Sequence, residues 1–161
     1  MTADSPRDPA PTRVVADAGV LAADLLVGGP SRTALDCVRE HSWMTLVASD
    51  PLLDDAAAVV ADLADDSLAR DWRARAQRAS ERVAHPDGDH PALASAYRGG
   101  AMHLLTLDES LLSAAAGVAV RGRVETSVRH PRAFATLFDA ASLHREAVGG
   151  GYPGPDRDPR D

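Results

Sequence analysis

Lysine, asparagine and isoleucine are absent from the chain of 161 residues, and cysteine occurs once, at Cys37. Without a lysine there is no Walker A phosphate-binding loop, no Schiff-base enzyme site and no phosphotransfer site that sets a lysine beside a nucleophilic aspartate. A single cysteine excludes an intramolecular disulfide and a cysteine-based metal site. The chemistry of the chain must therefore come from other residue types.

Long hydrophobic runs are also missing. No uncharged stretch approaches the roughly 18 apolar residues that a membrane-spanning helix requires. The first residues, MTADSPRDPAPT, are acidic and rich in proline, which is unlike a signal peptide. We therefore expect no membrane segment and a cytoplasmic location.

Acidic residues outnumber basic ones, which gives a net charge of −7 at pH 7, mostly from 19 aspartates. An acidic surface without lysine is typical of proteins that stay soluble at high salt, so a halophilic source is one interpretation. A GC-rich genome is the other, because it also explains 31 alanines and 17 arginines. In either case, a globally acidic protein binds nucleic acid poorly unless it carries a local basic patch.

Short apolar runs alternate with longer amphipathic segments, a pattern that predicts an α/β domain with a parallel sheet. The expected fold is a three-layer α/β/α arrangement around four to five parallel strands, over residues 13–148. Residues 1–12 and 149–161 contain much Pro, Gly and Asp, and are predicted to be flexible tails. The predicted strands are 13–16, 44–48, 102–106 and 124–128. The first predicted helix follows the first strand and ends near residue 27. The other predicted helices span 31–41, 49–64, 67–83, 89–98, 109–115 and 131–148.

Aspartates lie at the predicted strand ends and helix starts. Asp17 ends the first strand, Asp89 opens a helix, and Asp108 follows the strand HLLT. The carboxyl ends of parallel strands meet at the crevice where ligands bind. On the helix after the second strand, Asp55 lies about 100° from the centre of the apolar face and Asp54 about 160°, which favours Asp55 at the crevice but leaves the choice between them open.

Carboxylates brought together repel one another unless one is protonated or a divalent cation lies between them. Hard oxygen ligands suit Mg²⁺ or Mn²⁺, which can activate water for in-line attack on a phosphodiester. The predicted chemistry is therefore metal-dependent phosphodiester hydrolysis. The structural alternative is that Asp89 and Asp108 are ordinary helix N-caps, because a chain with 19 aspartates places some at strand ends by chance.

Four blocks of sequence carry a resemblance to a known family. They are VVADAGVL (14–21), SDPLLDD (49–55), DHPALASAYRGGAMHLLTLDESLL (89–112) and SVRHPRAF (127–134). Their order and spacing over residues 13–138 resemble those of PIN-domain ribonucleases. The resemblance implies a metal-binding acidic quartet, a hydroxyl residue that supports the last aspartate or a water, and Mg²⁺ or Mn²⁺ as cofactor. The matching positions are Asp17, Asp55, Asp89 and Asp108 for the quartet and Thr106 for the hydroxyl.

PIN domains include toxins of toxin–antitoxin pairs and RNA-processing nucleases. The resemblance thus implies RNA as substrate, an antitoxin-like protein as a partner and a homodimer. The sequence departs from the pattern at Asp55, where the family often has Glu, and at Ala18-Gly19, where a polar pair is usual. These departures motivate an alternative, a catalytically weakened PIN-like module that binds RNA or protein. A third reading, an aspartate-nucleophile phosphatase, shares Asp17 but is disfavoured by the missing lysine.

One segment is locally basic. In LARDWRARAQRASERV, helical spacing places Arg75, Arg78 and Arg82 on one face, which could contact RNA phosphates or an acidic partner. The alternative is a solvated face supported by pairs such as Asp71–Arg75. Three other residues are expected to have no role in the site. His90 should point to solvent, and Trp43 and Trp72 should pack in the core.

Overall fold

Five parallel strands form the central sheet, in the order β3-β2-β1-β4-β5. The computed structural model describes residues 7–84, 90–118 and 126–160. The strands are β1 (Ala10–Ala16), β2 (Thr45–Ser49), β3 (Glu81–Val83), β4 (Ala101–Leu105) and β5 (Ser127–Arg129). The helices are α1 (Ala18–Leu26), α2 (Gly29–Arg39), α3 (Asp50–Leu63), α4 (Asp66–Ala79), α5 (Pro91–Gly99), α6 (Glu109–Val118), α7 (Pro131–Leu137) and α8 (Ala140–Ala147).

Helices cover both faces of the sheet. From β1 the chain moves through β2 to β3 in one direction, then crosses back through α5 to β4 on the other side of β1. Because such crossovers are right-handed, α1 to α4 lie on one face and α5 lies on the opposite face, where it packs on β1, β2 and β4. The predicted three-layer α/β/α fold is thus confirmed, with five strands.

The central strand β1 carries the core. Val14 and Val15 point to opposite faces and both are fully buried, as are Leu104 and Leu105 of the neighbouring β4. Burial of both faces is what a parallel sheet covered by two helical layers requires. The residues that follow β1 and β4 are therefore held by a rigid support. Among the helices of the described ranges, none is long and apolar enough to cross a membrane.

Capping side chains fix the carboxyl edge of the sheet. Asp17 directly follows β1 and caps α1, and Ser49 ends β2 and caps α3 through a hydrogen bond from the Leu52 N–H. Pro51 stands in the first turn of α3, where its missing N–H costs nothing. Each cap thus joins a strand end to the start of the next helix.

The helix predicted over 67–83 is wrong beyond Ala79. Ser80 is extended, and residues 81–83 form the edge strand β3. This strand pairs in parallel with β2, and Glu81 lies opposite Val47. Glu81 is held there by an ion pair with the buried Arg13 of β1. A three-residue strand is too short to be recognised from alternation, and its stabilising partner is remote in sequence.

The last predicted helix, 131–148, consists of two helices. Phe138 is extended, and Asp139 caps α8 by accepting a hydrogen bond from the Ser142 N–H at 3.0 Å. Short polar side chains of this kind compete with the helical backbone and favour a new start. The Phe138 ring packs against those of Phe134 and His41, which holds the break against the body of the protein.

Both predicted tails contain ordered residues, so this prediction is wrong in part. Residues 10–12 belong to β1, and Ala10 donates a backbone hydrogen bond to Gly100 at 2.9 Å. Residues 149–160, here called the C-terminal segment, pack along the end of α2. Tyr152 lies 2.6 Å from His41, hydroxyl oxygen to Nε2, and Asp156 accepts from the Ser42 N–H at 2.7 Å. Polar contacts and one aromatic ring replace the apolar burial that the composition lacks.

Candidate active site

Asp17 is the centre of the candidate site. It is half-buried, and its backbone N–H donates to the Leu105 carbonyl of β4 at 2.8 Å. Its Oδ1 accepts from the Ala18 N–H and its Oδ2 from the Thr106 hydroxyl, both at 2.8 Å. Each carboxylate oxygen has a second lone pair, so both are oriented by the protein and can still bind a further partner.

Thr106 forms hydrogen bonds with residues at the carboxyl ends of other strands. The residue is fully buried directly after β4, and its backbone N–H donates to the Arg129 carbonyl at 3.0 Å. Its hydroxyl donates to Asp17 and accepts from the Asp108 N–H at 3.0 Å. The threonine therefore links the Asp17 carboxylate to the Asp108 backbone, whereas the family resemblance implies support of the last aspartate or a water.

Asp108 precedes α6 and is exposed. Its Oδ1 accepts from the Ser110 N–H at 2.8 Å, which is the geometry of the N-cap that the alternative interpretation expects. In the part of the chain that the structure describes, its Oδ2 has no hydrogen-bond partner. The capping role uses one oxygen, so it leaves the other available for a ligand.

The two acidic residues of α3 differ in their partners. Asp54 accepts from Arg73 Nε at 3.0 Å, and Asp50 is bound by both Arg73 and Arg82. Asp55 is also exposed but has no ion pair or hydrogen bond within the described ranges. Of the two carboxylates, that of Asp55 is therefore the one that no arginine of the described residues binds.

The three members of the predicted quartet that the structure describes do not form one cluster. Over residues 7–84, 90–118 and 126–160, no group of three or more His, Cys, Asp or Glu side chains lies close enough to hold a metal ion. Thr106 connects Asp17 with Asp108, whereas Asp55 is exposed on α3. Asp89 lies outside the described residues. Its neighbour His90 is exposed and caps α5 through its Nδ1, which accepts from the Ala92 N–H at 3.2 Å.

A buried pair of hydroxyls supports the same edge. Ser95 Oγ of α5 lies 2.9 Å from Ser49 Oγ and 2.7 Å from the Pro91 carbonyl, and both serines are fully buried. The pair fixes the first turn of α5 against the end of β2. Sequence reasoning missed Ser95, although a polar residue inside the alanine-rich run PALASAY is an unusual feature.

The side chains of Cys37, His103 and the two tryptophans pack within the fold. Burial raises the pKa of the Cys37 thiol to about 11, so it is inert at neutral pH. His103 of β4 packs edge-on against Phe134, and burial, together with the charge of Arg129, lowers its pKa. Trp72 is buried in the core, as predicted, and Trp43 packs in part against it.

The predicted basic helix face is wrong in one member. Arg82 belongs to β3 and pairs with Asp50 at 3.3 Å, since α4 ends at Ala79. Arg75 and Arg78 are exposed on α4, and neither forms an ion pair with the residues that the structure describes. The expected Asp71–Arg75 pair is therefore not formed, and these two arginines remain without a carboxylate partner in that part of the chain.

A protein-family model matches residues 8–160, and it describes a family of unknown function, DUF7384. The chain therefore belongs to this family. No curated protein and no solved structure matches it. The matched range includes the start of β1 and the C-terminal segment, so both belong to the family domain.

Proposed function

We propose that this member of DUF7384 is a ribonuclease that hydrolyses RNA phosphodiester bonds with bound Mg²⁺ or Mn²⁺. One observation carries the proposal: the buried Thr106 hydroxyl orients the Asp17 carboxylate and joins it to Asp108 at the carboxyl edge of the sheet. A hydrogen-bond donor that orients a carboxylate and leaves its remaining lone pairs open is the support that metal-ligating carboxylates have in proteins. The edge is also where open α/β sheets bind ligands.

The residues fit a hard divalent cation. Mg²⁺ keeps several waters and is commonly held by one or two carboxylates together with substrate phosphates. Asp17 supplies one oriented carboxylate and Asp108 supplies an oxygen without a partner among the described residues. We propose that Asp55 and Asp89 complete the set, as the resemblance to PIN domains implies.

The chain's own residues have a positioning role. A bound cation would lower the pKa of a coordinated water and stabilise the negative charge of the attacked phosphate. Asp17 and Asp108 would hold that cation at the end of the sheet, and the Thr106 hydroxyl orients the Asp17 carboxylate. The rigid packing of β1 and β4 beneath them keeps this arrangement in place before substrate binds.

The substrate class and partners follow from the resemblance. PIN-domain nucleases act on RNA, which supports RNA as the substrate. Because some of them are toxins with antitoxin partners, an antitoxin-like protein and a homodimer are part of the proposal, as is a cytoplasmic location.

Thermal melting with and without Mn²⁺ tests the metal site without a guessed substrate. High ionic strength suppresses diffuse binding to surface carboxylates. At 100 times the dissociation constant, Mn²⁺ should stabilise the wild type by about 2.7 kcal/mol, and this stabilisation should vanish in Asp17→Asn. Asp54→Asn is the matched control, because its carboxylate is exposed and bound to Arg73. It should respond as the wild type does.

An equal response of Asp17→Asn and the wild type, or none in either, would contradict a metal site at Asp17. The second candidate would then stand, a PIN-like module that binds RNA or protein. The described residues contain no group of three or more His, Cys, Asp or Glu side chains that could hold a metal ion, which favours it. That module would bind RNA equally well with and without the Asp17 carboxylate.

A further inference from the structure

A large cleft lies away from the candidate active site. Its volume is about 970 Å³, and it is lined by α1, α2, α4, β2 and the C-terminal segment. Met44 directly precedes β2 and Ala79 ends α4 just before β3, so the cleft lies toward the amino ends of these strands. Asp17 and Thr106 follow carboxyl ends. At about 3.3 Å per residue, the five residues of β2 alone separate the two edges by roughly 16 Å.

Arginines line this cleft from both sides. Some of them are neutralised: Arg39 and Arg32 bind the buried Asp24, and Arg160 pairs with Asp36. The cleft also has three carboxylates: Asp24 is bound by these arginines, Asp156 accepts hydrogen bonds from the Ser42 N–H and hydroxyl, and Asp158 accepts one from the Arg160 backbone N–H. The arginines of the cleft are Arg32, Arg39, Arg75, Arg78, Arg157 and Arg160.

Three cleft arginines have no ion pair with any residue in 7–84, 90–118 or 126–160. Arg75 and Arg78 project from α4, and Arg157 belongs to the C-terminal segment on the other wall. Between the walls the lining includes apolar side chains, among them the half-buried Leu46 of β2 and the buried Trp72 of α4. In a protein of net charge −7, two exposed arginines of α4 without an ion pair among the described residues, facing Arg157 beside Asp156 on the opposite wall, mark a site for an anion that also has apolar surfaces.

We propose that this cleft, here called the arginine cleft, binds the backbone of single-stranded RNA. The guanidinium fork matches the geometry of a phosphate, and unpaired bases can pack against the apolar side chains of the lining. The inference rests on the proposed function, because a site built from carboxylates repels the phosphates of its substrate. A nuclease of this kind therefore needs cationic side chains elsewhere to retain RNA, and the arginine cleft provides them.

Fluorescence anisotropy with a 5′-fluorescein-labelled, single-stranded 12-mer oligoribonucleotide tests this binding. The full chain is titrated in EDTA over a range of salt concentrations. The wild type should bind, and Arg75→Ala/Arg78→Ala should weaken binding about tenfold at low salt. The slope of log K against log salt should fall by about 1.4, because each lost phosphate contact removes about 0.7. Arg157→Ala, on the opposite wall, should lower the slope by about half as much.

Arg70→Ala/Arg145→Ala is the matched control. Both arginines are exposed and lie outside the arginine cleft, and the double variant changes the net charge equally. It should retain most of the wild-type affinity and slope. Melting temperatures close to that of the wild type establish that each variant folds.

Three outcomes would overturn the inference: no binding by the wild type, equal weakening by both double variants, or tighter binding of a polyglutamate peptide that displaces the RNA. The last would assign the arginine cleft to an acidic protein partner. Since EDTA removes the cation, this measurement does not depend on cleavage. A wild type that binds RNA through the arginine cleft but never cleaves it would overturn the proposed function alone.

Discussion

The two edges of the sheet differ in how they hold their polar side chains. At the carboxyl edge, Asp17 and Thr106 are attached directly to buried strands, and short side chains meet through hydrogen bonds of 2.8 to 3.0 Å. In the arginine cleft, long side chains extend from α4 and from the C-terminal segment, and those of Arg75 and Arg78 have no ion pair in the described part of the chain. The first arrangement fixes atoms in place, as catalysis requires, and the second supplies charge that adapts to a flexible ligand.

The largest expected effect separates the two edges. Asp17→Asn should reduce RNA cleavage in Mn²⁺ by about 10³-fold, which corresponds to roughly 4 kcal/mol of transition-state stabilisation. RNA binding in EDTA should be unchanged, because no arginine of the cleft contacts Asp17. Gel analysis of cleavage and anisotropy measure the two. A parallel loss of binding would mean that the two edges form one site.

A smaller effect is expected at Thr106. Thr106→Val keeps the shape but removes the hydroxyl, so the Asp17 carboxylate loses its orienting donor and the Asp108 N–H loses its acceptor. Metal affinity should fall about 10- to 100-fold, as for other residues that orient a ligand. Thr106→Ser should restore it, which a purely structural role of the methyl group would not predict. Melting titrations with Mn²⁺ measure the affinity of all three proteins.

The smallest effect concerns the wall of the arginine cleft. Tyr152→Phe leaves His41 Nε2 buried without its partner and should lower the free energy of unfolding by about 1 to 2 kcal/mol. If the C-terminal segment then detaches, RNA affinity should also fall toward that of Arg157→Ala. Denaturant unfolding and anisotropy provide the two readouts. An unchanged stability would mean that the segment is not held by this contact in solution.

Local signals allowed much of the fold to be predicted. The caps at Asp17 and Ser49 and the proline after Ser49 are signals within a few residues, and the helices begin where those signals place them. β3 and the C-terminal segment could not be predicted in the same way. Their partners, Arg13 for Glu81 and His41 for Tyr152, are 68 and 111 residues away in sequence.

The same distinction applies to the site. Strand-end positions predicted where Asp17 and Asp108 lie, because the ends of parallel strands share an edge. The bond between Thr106 and Asp17 spans 89 residues and follows only from the pairing of β1 with β4. Periodicity favoured Asp55 over Asp54 at the crevice, which stays a prediction because an angle on a helix does not give the distance from α3 to Asp17.

The direction of the hydrogen bonds at Thr106 restricts which residues natural variants can carry there. A hydroxyl has one hydrogen, and here that hydrogen points to Asp17 while the oxygen faces the Asp108 N–H. Among the genetically encoded side chains, only serine and threonine place such an atom at this distance from the backbone. Sequence variation across the family should therefore be confined to these two residue types at position 106, while its exposed neighbour Leu107 can vary widely.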